Sequence, residues 1–186
     1  MSVTRERILE LGENLIRTKG YNAFSYQDIS SELGIKNAAV HYYFPSKENL
    51  GTSIVKTNIL RFEEMTDNMR TRKFDEWQQL ETFVKVYIKS NREQKKCLVG
   101  SLSPDYVTLS DTTKSELKRM IDIILRWLTG LLESGKEKGM FDFKDDSSSK
   151  AFTILTSLVA SLQLFGIVDG MDYKIYCQSI LDDLKP

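Results

Sequence analysis

Apolar residues recur at helical spacing along the whole chain, and no stretch alternates apolar and polar residues as a strand would. Thr4 is placed to cap a first helix whose Ile8, Leu11, Leu15 and Ile16 form one stripe, closed by Lys19-Gly20. Ser25 is placed to cap a second, with Ile29 and Leu33 at i, i+4. Gly34 ends that helix, because glycine enters the left-handed turn at little steric cost. A third helix runs from Asn37 to about Phe44 with Val40 and Phe44 inward, and Pro45 cannot continue it. Ser46 recaps the chain, with Glu48 and Asn49 in the first turn of a helix that reaches Arg70 and carries Leu50, Ile54, Val55, Ile59, Phe62 and Met65.

The same periodicity predicts a helix over about Asp75–Asn91, with Leu80, Phe83, Val84, Tyr87 and Ile88 on one side. A shorter segment opens at Lys95 and is interrupted at Pro104. Ser115–Lys138 reads as a long amphipathic helix with Leu117, Ile121, Ile124, Leu128 and Leu132 inward. After the loop at Gly139, a helix capped by Asp145, Asp146 or Ser147 runs to about Val168 and is apolar on more than one face, which predicts burial on two sides. Asp169-Gly170 breaks it, and a last helix spans about Asp172–Leu184. The expected fold is all-α, with about nine helices and no internal repeat.

Two short helices joined at Gly34 and sharing an apolar core form a helix-turn-helix. The outward face of the second carries Lys36, Asn37, His41 and Tyr42, and no acid stands between Glu32 and Glu48. Such side chains hydrogen-bond base edges and phosphates in a major groove. The spacing is equally that of an ordinary helical hairpin in an all-α core.

The run LGIKNAAVHYYFPSKENL resembles the recognition region of the tetracycline-repressor (TetR/AcrR) family of bacterial transcription regulators. The shared features are the turn glycine, an aromatic-rich helix ending in Tyr-Phe, and Pro-Ser-Lys-Glu-x-Leu after it. The upstream TRERILELGENLIRTKGYNAFSYQDIS is similar to the same family. The resemblance covers about the first quarter of the chain. It implies a three-helix DNA-binding domain over residues 1–47 and a larger helical domain for ligand binding and dimerisation over 48–186. It also implies that Ser25, Tyr26 and Gln27 reach backbone or base edge, and that Lys36, Asn37 and Ala38 open the recognition helix. His41 stands where the family usually has tyrosine, Tyr42 at a variable groove-facing position, and Lys47 at the phosphate-clamping lysine. Ala39 departs from the common Thr or Ser, and Lys36 from a small polar residue.

Net charge is zero, and residues 1–50 hold six basic and six acidic side chains, so DNA affinity must come from where the charges sit. The N-terminus carries no apolar signal segment, and the most apolar run, 151–168, is interrupted by hydroxyls, Gln163 and Gly166. A cytoplasmic protein without a membrane span is expected. Two cysteines eighty positions apart and one histidine make neither a disulfide framework nor a metal site.

The last two helices are the natural interface of a homodimer, in which two recognition helices read a palindrome on double-stranded DNA. A small-molecule effector is expected among aromatic and methionine side chains such as Phe62, Met65, Met69, Tyr87, Tyr106, Trp127 and Phe152. Cys97 follows two lysines near a predicted helix start, both of which stabilise a thiolate, so an electrophile or oxidant sensor competes with a small buried hydrophobe there. An enzyme is not expected: the chain has no Gly-rich phosphate loop, metal-ligand spacing or nucleophile elbow, and no cofactor motif. An all-α protein-interaction module is the alternative to a DNA-binding repressor.

Overall fold

The computed structural model describes residues 3–168 and 170–186. Among them are nine α-helices, one short 3-10 turn and no strand, as the periodicity predicts. In order they are α1 (Val3–Lys19), α2 (Tyr26–Leu33), α3 (Asn37–Tyr43), α4 (Lys47–Thr71), α5 (Glu76–Arg92), α6 (Leu98–Leu102), α7 (Asp111–Glu137), α8 (Ser147–Leu164) and α9 (Tyr173–Asp182), with the 3-10 turn Tyr106–Thr108 between α6 and α7. None of these helices is long and apolar enough to cross a membrane.

The chain divides into two compact units, residues 1–60 with 98–120, and residues 61–97 with 121–186. Both α4 and α7 therefore contribute to both units. In the first unit α1 packs against α2 and α6, and α2 against α3. Its core is built from Ile8, Ile16, Ile29, Val40, Phe44, Leu50, Ile54 and Leu102, all essentially inaccessible to solvent. The inner stripe of α1 is Ile8, Leu9, Leu15 and Ile16; Leu11 is only half-buried, and Gly12 packs against Leu50 and Ile54 of α4. A Cβ at Gly12 would lie 3.0 Å from Leu50 Cδ2.

In the second unit α5 packs against α8 and α9 around Leu80, Phe83, Val84, Leu128, Leu132, Leu158 and Cys177. Asp75 caps α5, accepting from the Gln78 backbone at 2.8 Å while Gln78 Oε1 accepts from the Asp75 N–H at 3.0 Å. Asp146 caps α8, accepting from Ser149 N and the Ser148 hydroxyl, and these donors hold its carboxyl well below the ordinary carboxylate range. The break expected at Asp169-Gly170 falls in part on Asp169, which lies outside the described residues; α8 itself ends at Leu164.

The two-sided burial expected for α8 is not met within a single chain. Ala151, Ile154, Leu155, Leu158 and Leu162 face inward, but Phe152 and Leu164 are exposed. Beyond the helix Ile167, Val168 and Met171 are exposed as well, and so is Ile175 on α9.

Candidate nucleic-acid interface

The candidate site is α2, α3 and the turns that hold them. At the start of α2, Asp28 accepts from both the backbone N–H and the hydroxyl of Ser25, each at 2.7 Å. Those hydrogen bonds keep the Asp28 carboxyl below its ordinary pKa, the Ser25 hydroxyl contributing most. At the far end Gly34 adopts φ +64°, ψ +33°, and Ile35 N–H donates to the Ser30 carbonyl at 3.0 Å, so the chain reverses within three residues. Lys36 is the N-cap of α3, its carbonyl accepting from Ala39 N–H at 2.8 Å. Ser46 and Asn49 cap each other at the start of α4, the Asn49 amide oxygen accepting from Ser46 N–H and Oγ–H.

Val40 and Phe44 turn α3 inward, leaving Lys36, Asn37, Ala38, His41 and Tyr42 exposed on the other side. Tyr42 keeps 80% of its surface in solvent, its ring edge-on to Tyr43 with centroids 5.1 Å apart. Gln27 and Ser25 are exposed too, with Gln27 Nε2 donating to Ser31 Oγ at 3.1 Å, and Ala39 is half-buried. His41 lies edge-on to Tyr26 with centroids 4.8 Å apart, its Nδ1 3.3 Å from the Pro45 carbonyl.

Two of the expected contact residues sit differently from the rest. Tyr26 is buried, and its hydroxyl donates to the Phe44 carbonyl at 2.9 Å, bracing the end of α3 from within. Burial pushes that phenol far above the ordinary tyrosine range, so it stays a neutral donor. Lys47 is half-buried; its ammonium donates to the Phe24 carbonyl and lies 4.2 Å and 5.0 Å from the ring centres of Phe24 and Tyr21. Burial lowers its pKa, opposed by the carboxylates of Asp105 and Asp28. Arg5, absent from the expected set, places its guanidinium 5.0 Å from the Phe44 ring centre and so brings a cation to the end of α3. Only its position in the first turn of α1 hinted at this.

The residues expected to line an effector cavity are divided. Phe62, Tyr87 and Trp127 meet in the second unit around Phe83, Phe62 edge-on to Trp127 at 5.5 Å, and Met69 is buried in the same unit. Tyr106 belongs to the first unit and is exposed, its ring facing the Lys114 ammonium, while Phe152 points outward from α8. A cavity of about 450 Å³ in the second unit is lined instead by Thr156, Ala160, Leu164, Phe165, Val168, Met171 and Tyr176 among others. Cys97 is half-buried just before α6, and the Lys95 ammonium beside it pairs with Glu93 at 3.1 Å.

Residues 8–52 match the bacterial regulatory proteins of the tetR family. A TetR transcriptional regulator from Legionella pneumophila is 29% identical and superposes with a TM-score of 0.83, covering 100% of this chain and 99% of that one. A TetR-family regulator from Agrobacterium tumefaciens shares the fold, with a TM-score of 0.90 at 23% identity over 98% of each chain. The HTH-type transcriptional repressor DhaR of Mycobacterium sp. (strain GP1) is 21% identical over 73% of this chain and 68% of its own length. An exposed, acid-free recognition helix on an all-helical TetR fold defines a DNA-binding transcriptional regulator. Residues 8–52 are thus similar to the tetR-family regulatory proteins, and the chain as a whole shares the fold of the TetR-family regulators.

Proposed function

We propose that the protein is a repressor that binds a palindromic operator as a homodimer and is released from it by a small molecule. The observation that carries the reading is the outward face of α3, where Lys36, Asn37, Ala38, His41 and Tyr42 are all exposed and none is acidic. In this reading residues 1–47 are the DNA-binding head, with Gln27 and Ser25 on α2's side of the contact. Tyr26 acts from beneath, by fixing α3.

The exposed apolar row of Phe152, Leu164, Ile167, Val168, Met171 and Ile175 supports dimerisation through α8 and α9. A chain that leaves so much apolar surface in water gains by covering it with a second copy, and a two-fold axis then sets two α3 helices about one turn of DNA apart, roughly 34–36 Å. Phe62, Met65, Met69, Tyr87 and Trp127 are the proposed surroundings of the effector. A ligand that binds one spacing of the two heads better than the other shifts the population between them. Selection of bound fragments from a random duplex pool tests the reading: it should yield an inverted repeat, and recovery of unrelated sequences in the same amounts as without protein would refute it.

A further inference from the structure

The turn between α1 and α2 is tied to a segment 83 positions further along the chain. Asn22 donates twice to the Asp105 carboxylate, from its backbone N–H to Oδ2 at 3.2 Å and from its amide Nδ2 to Oδ1 at 3.0 Å. The same amide donates to Thr108 Oγ at 2.9 Å, and that hydroxyl donates to the Asp105 carbonyl at 2.8 Å, closing the ring of hydrogen bonds. Gly20 sets the turn: its φ of +106° is a backbone conformation that side-chain-bearing residues rarely adopt.

What this turn carries is the support of the candidate interface. Tyr21 and Phe24, which flank Asn22, are buried and present their ring faces to the Lys47 ammonium. Phe24 leads directly into Ser25, the cap of α2, and Tyr26, which holds the end of α3. Asp105 also favours the charged form of Lys47, against the burial that disfavours it. We propose that Asp105 is a positioning residue for DNA binding, fixing through Asn22 the turn that sets Lys47, the start of α2 and, through Tyr26, α3. The proposal rests on the DNA-binding reading above.

Asn22 and Thr108 are exposed and Asp105 is half-exposed, so water replaces their partners when the carboxylate is removed. The fold should therefore survive while the turn loosens. Asp105→Ala is predicted to speed hydrogen exchange at the Asn22 amide and weaken binding to a selected duplex fragment about tenfold, the scale of one or two charge-assisted hydrogen bonds. The swapped pair Asn22→Asp with Asp105→Asn restores a carboxylate–amide contact and should recover affinity to within about threefold of wild type. Should Asp105→Ala melt more than a few degrees early, Asp105→Asn, which keeps the shape of the side chain but loses its charge, is compared with the swapped pair instead and should bind more weakly than that pair. Unchanged affinity in Asp105→Ala, an unchanged Asn22 exchange rate, or a swapped pair no better than Asp105→Ala would each overturn the role. A wild-type chain that retains no fragment refutes the DNA-binding reading and the role together, whereas normal binding by both wild type and Asp105→Ala refutes the role alone.

Discussion

The Tyr26 hydroxyl donates to the Phe44 carbonyl at 2.9 Å, joining the first residue of α2 to the residue that closes α3. Both residues are buried, so the bond holds the angle between the two helices without exposure to competing water. Tyr26→Phe removes the donor and leaves the carbonyl without it. Equilibrium unfolding in urea should show a loss of about 1–2 kcal/mol, the cost of an unsatisfied buried acceptor. Affinity for a selected fragment should fall as well, since α3 is no longer braced.

Acid sensitivity is predicted to run through Glu76. This buried carboxylate accepts from the Lys138 ammonium and the Ser134 hydroxyl, and Lys138 contributes most to holding its pKa below 4.5, against desolvation that raises it. A carboxylate whose folded pKa is depressed binds fewer protons in the native state than in the unfolded one. Its stabilising contribution is therefore complete above 4.5 and is lost as pH falls through the lowered value. Unfolding measured below about pH 5 should show a shallower dependence on pH in Glu76→Gln than in wild type.

Ile175 is 68% exposed on α9, the helix proposed with α8 to form the interface between copies. A charge there costs little in an isolated chain and a great deal inside an apolar interface. Sedimentation of Ile175→Glu should show monomer at concentrations where wild type is dimeric, with helical content retained. A dimer of wild-type strength in the variant would remove α9 from the interface.

Much of the motif was legible because its signals are local. Ser25, Gly34, Pro45 and Ser46 each act on the backbone within a few residues, and the helix limits they predict are those observed. Local signals do not report which neighbour a side chain meets in space. Tyr26 sits one residue from the exposed Gln27 and so reads as a contact residue, yet its partner is 18 positions away. Likewise residues 98–120 join the first unit through contacts such as Asn22 with Asp105, which no periodicity encodes. The aromatic residues of the second unit carry the same ambiguity. Phe62 and Trp127 have each other, and Phe83, as partners, whereas Phe152 at an equally helical spacing faces solvent. For α8 the pattern left the burial open: its inward face is covered within the chain, whereas Phe152 and Leu164 on the other side are exposed, and it is on that side that the proposed dimer rests.

The salt dependence of binding to one selected duplex, compared between wild type and Lys36→Ala, probes the outward face of α3 most directly. Lys36 is exposed at the N-cap of that helix, so its loss should leave the melting temperature unchanged. Two Lys36 side chains per dimer would each release about one counterion from the phosphates, so the log–log slope should become less steep by roughly one to two units while affinity falls. A variant that binds with wild-type affinity and wild-type slope would mean that this face of α3 does not lie against DNA.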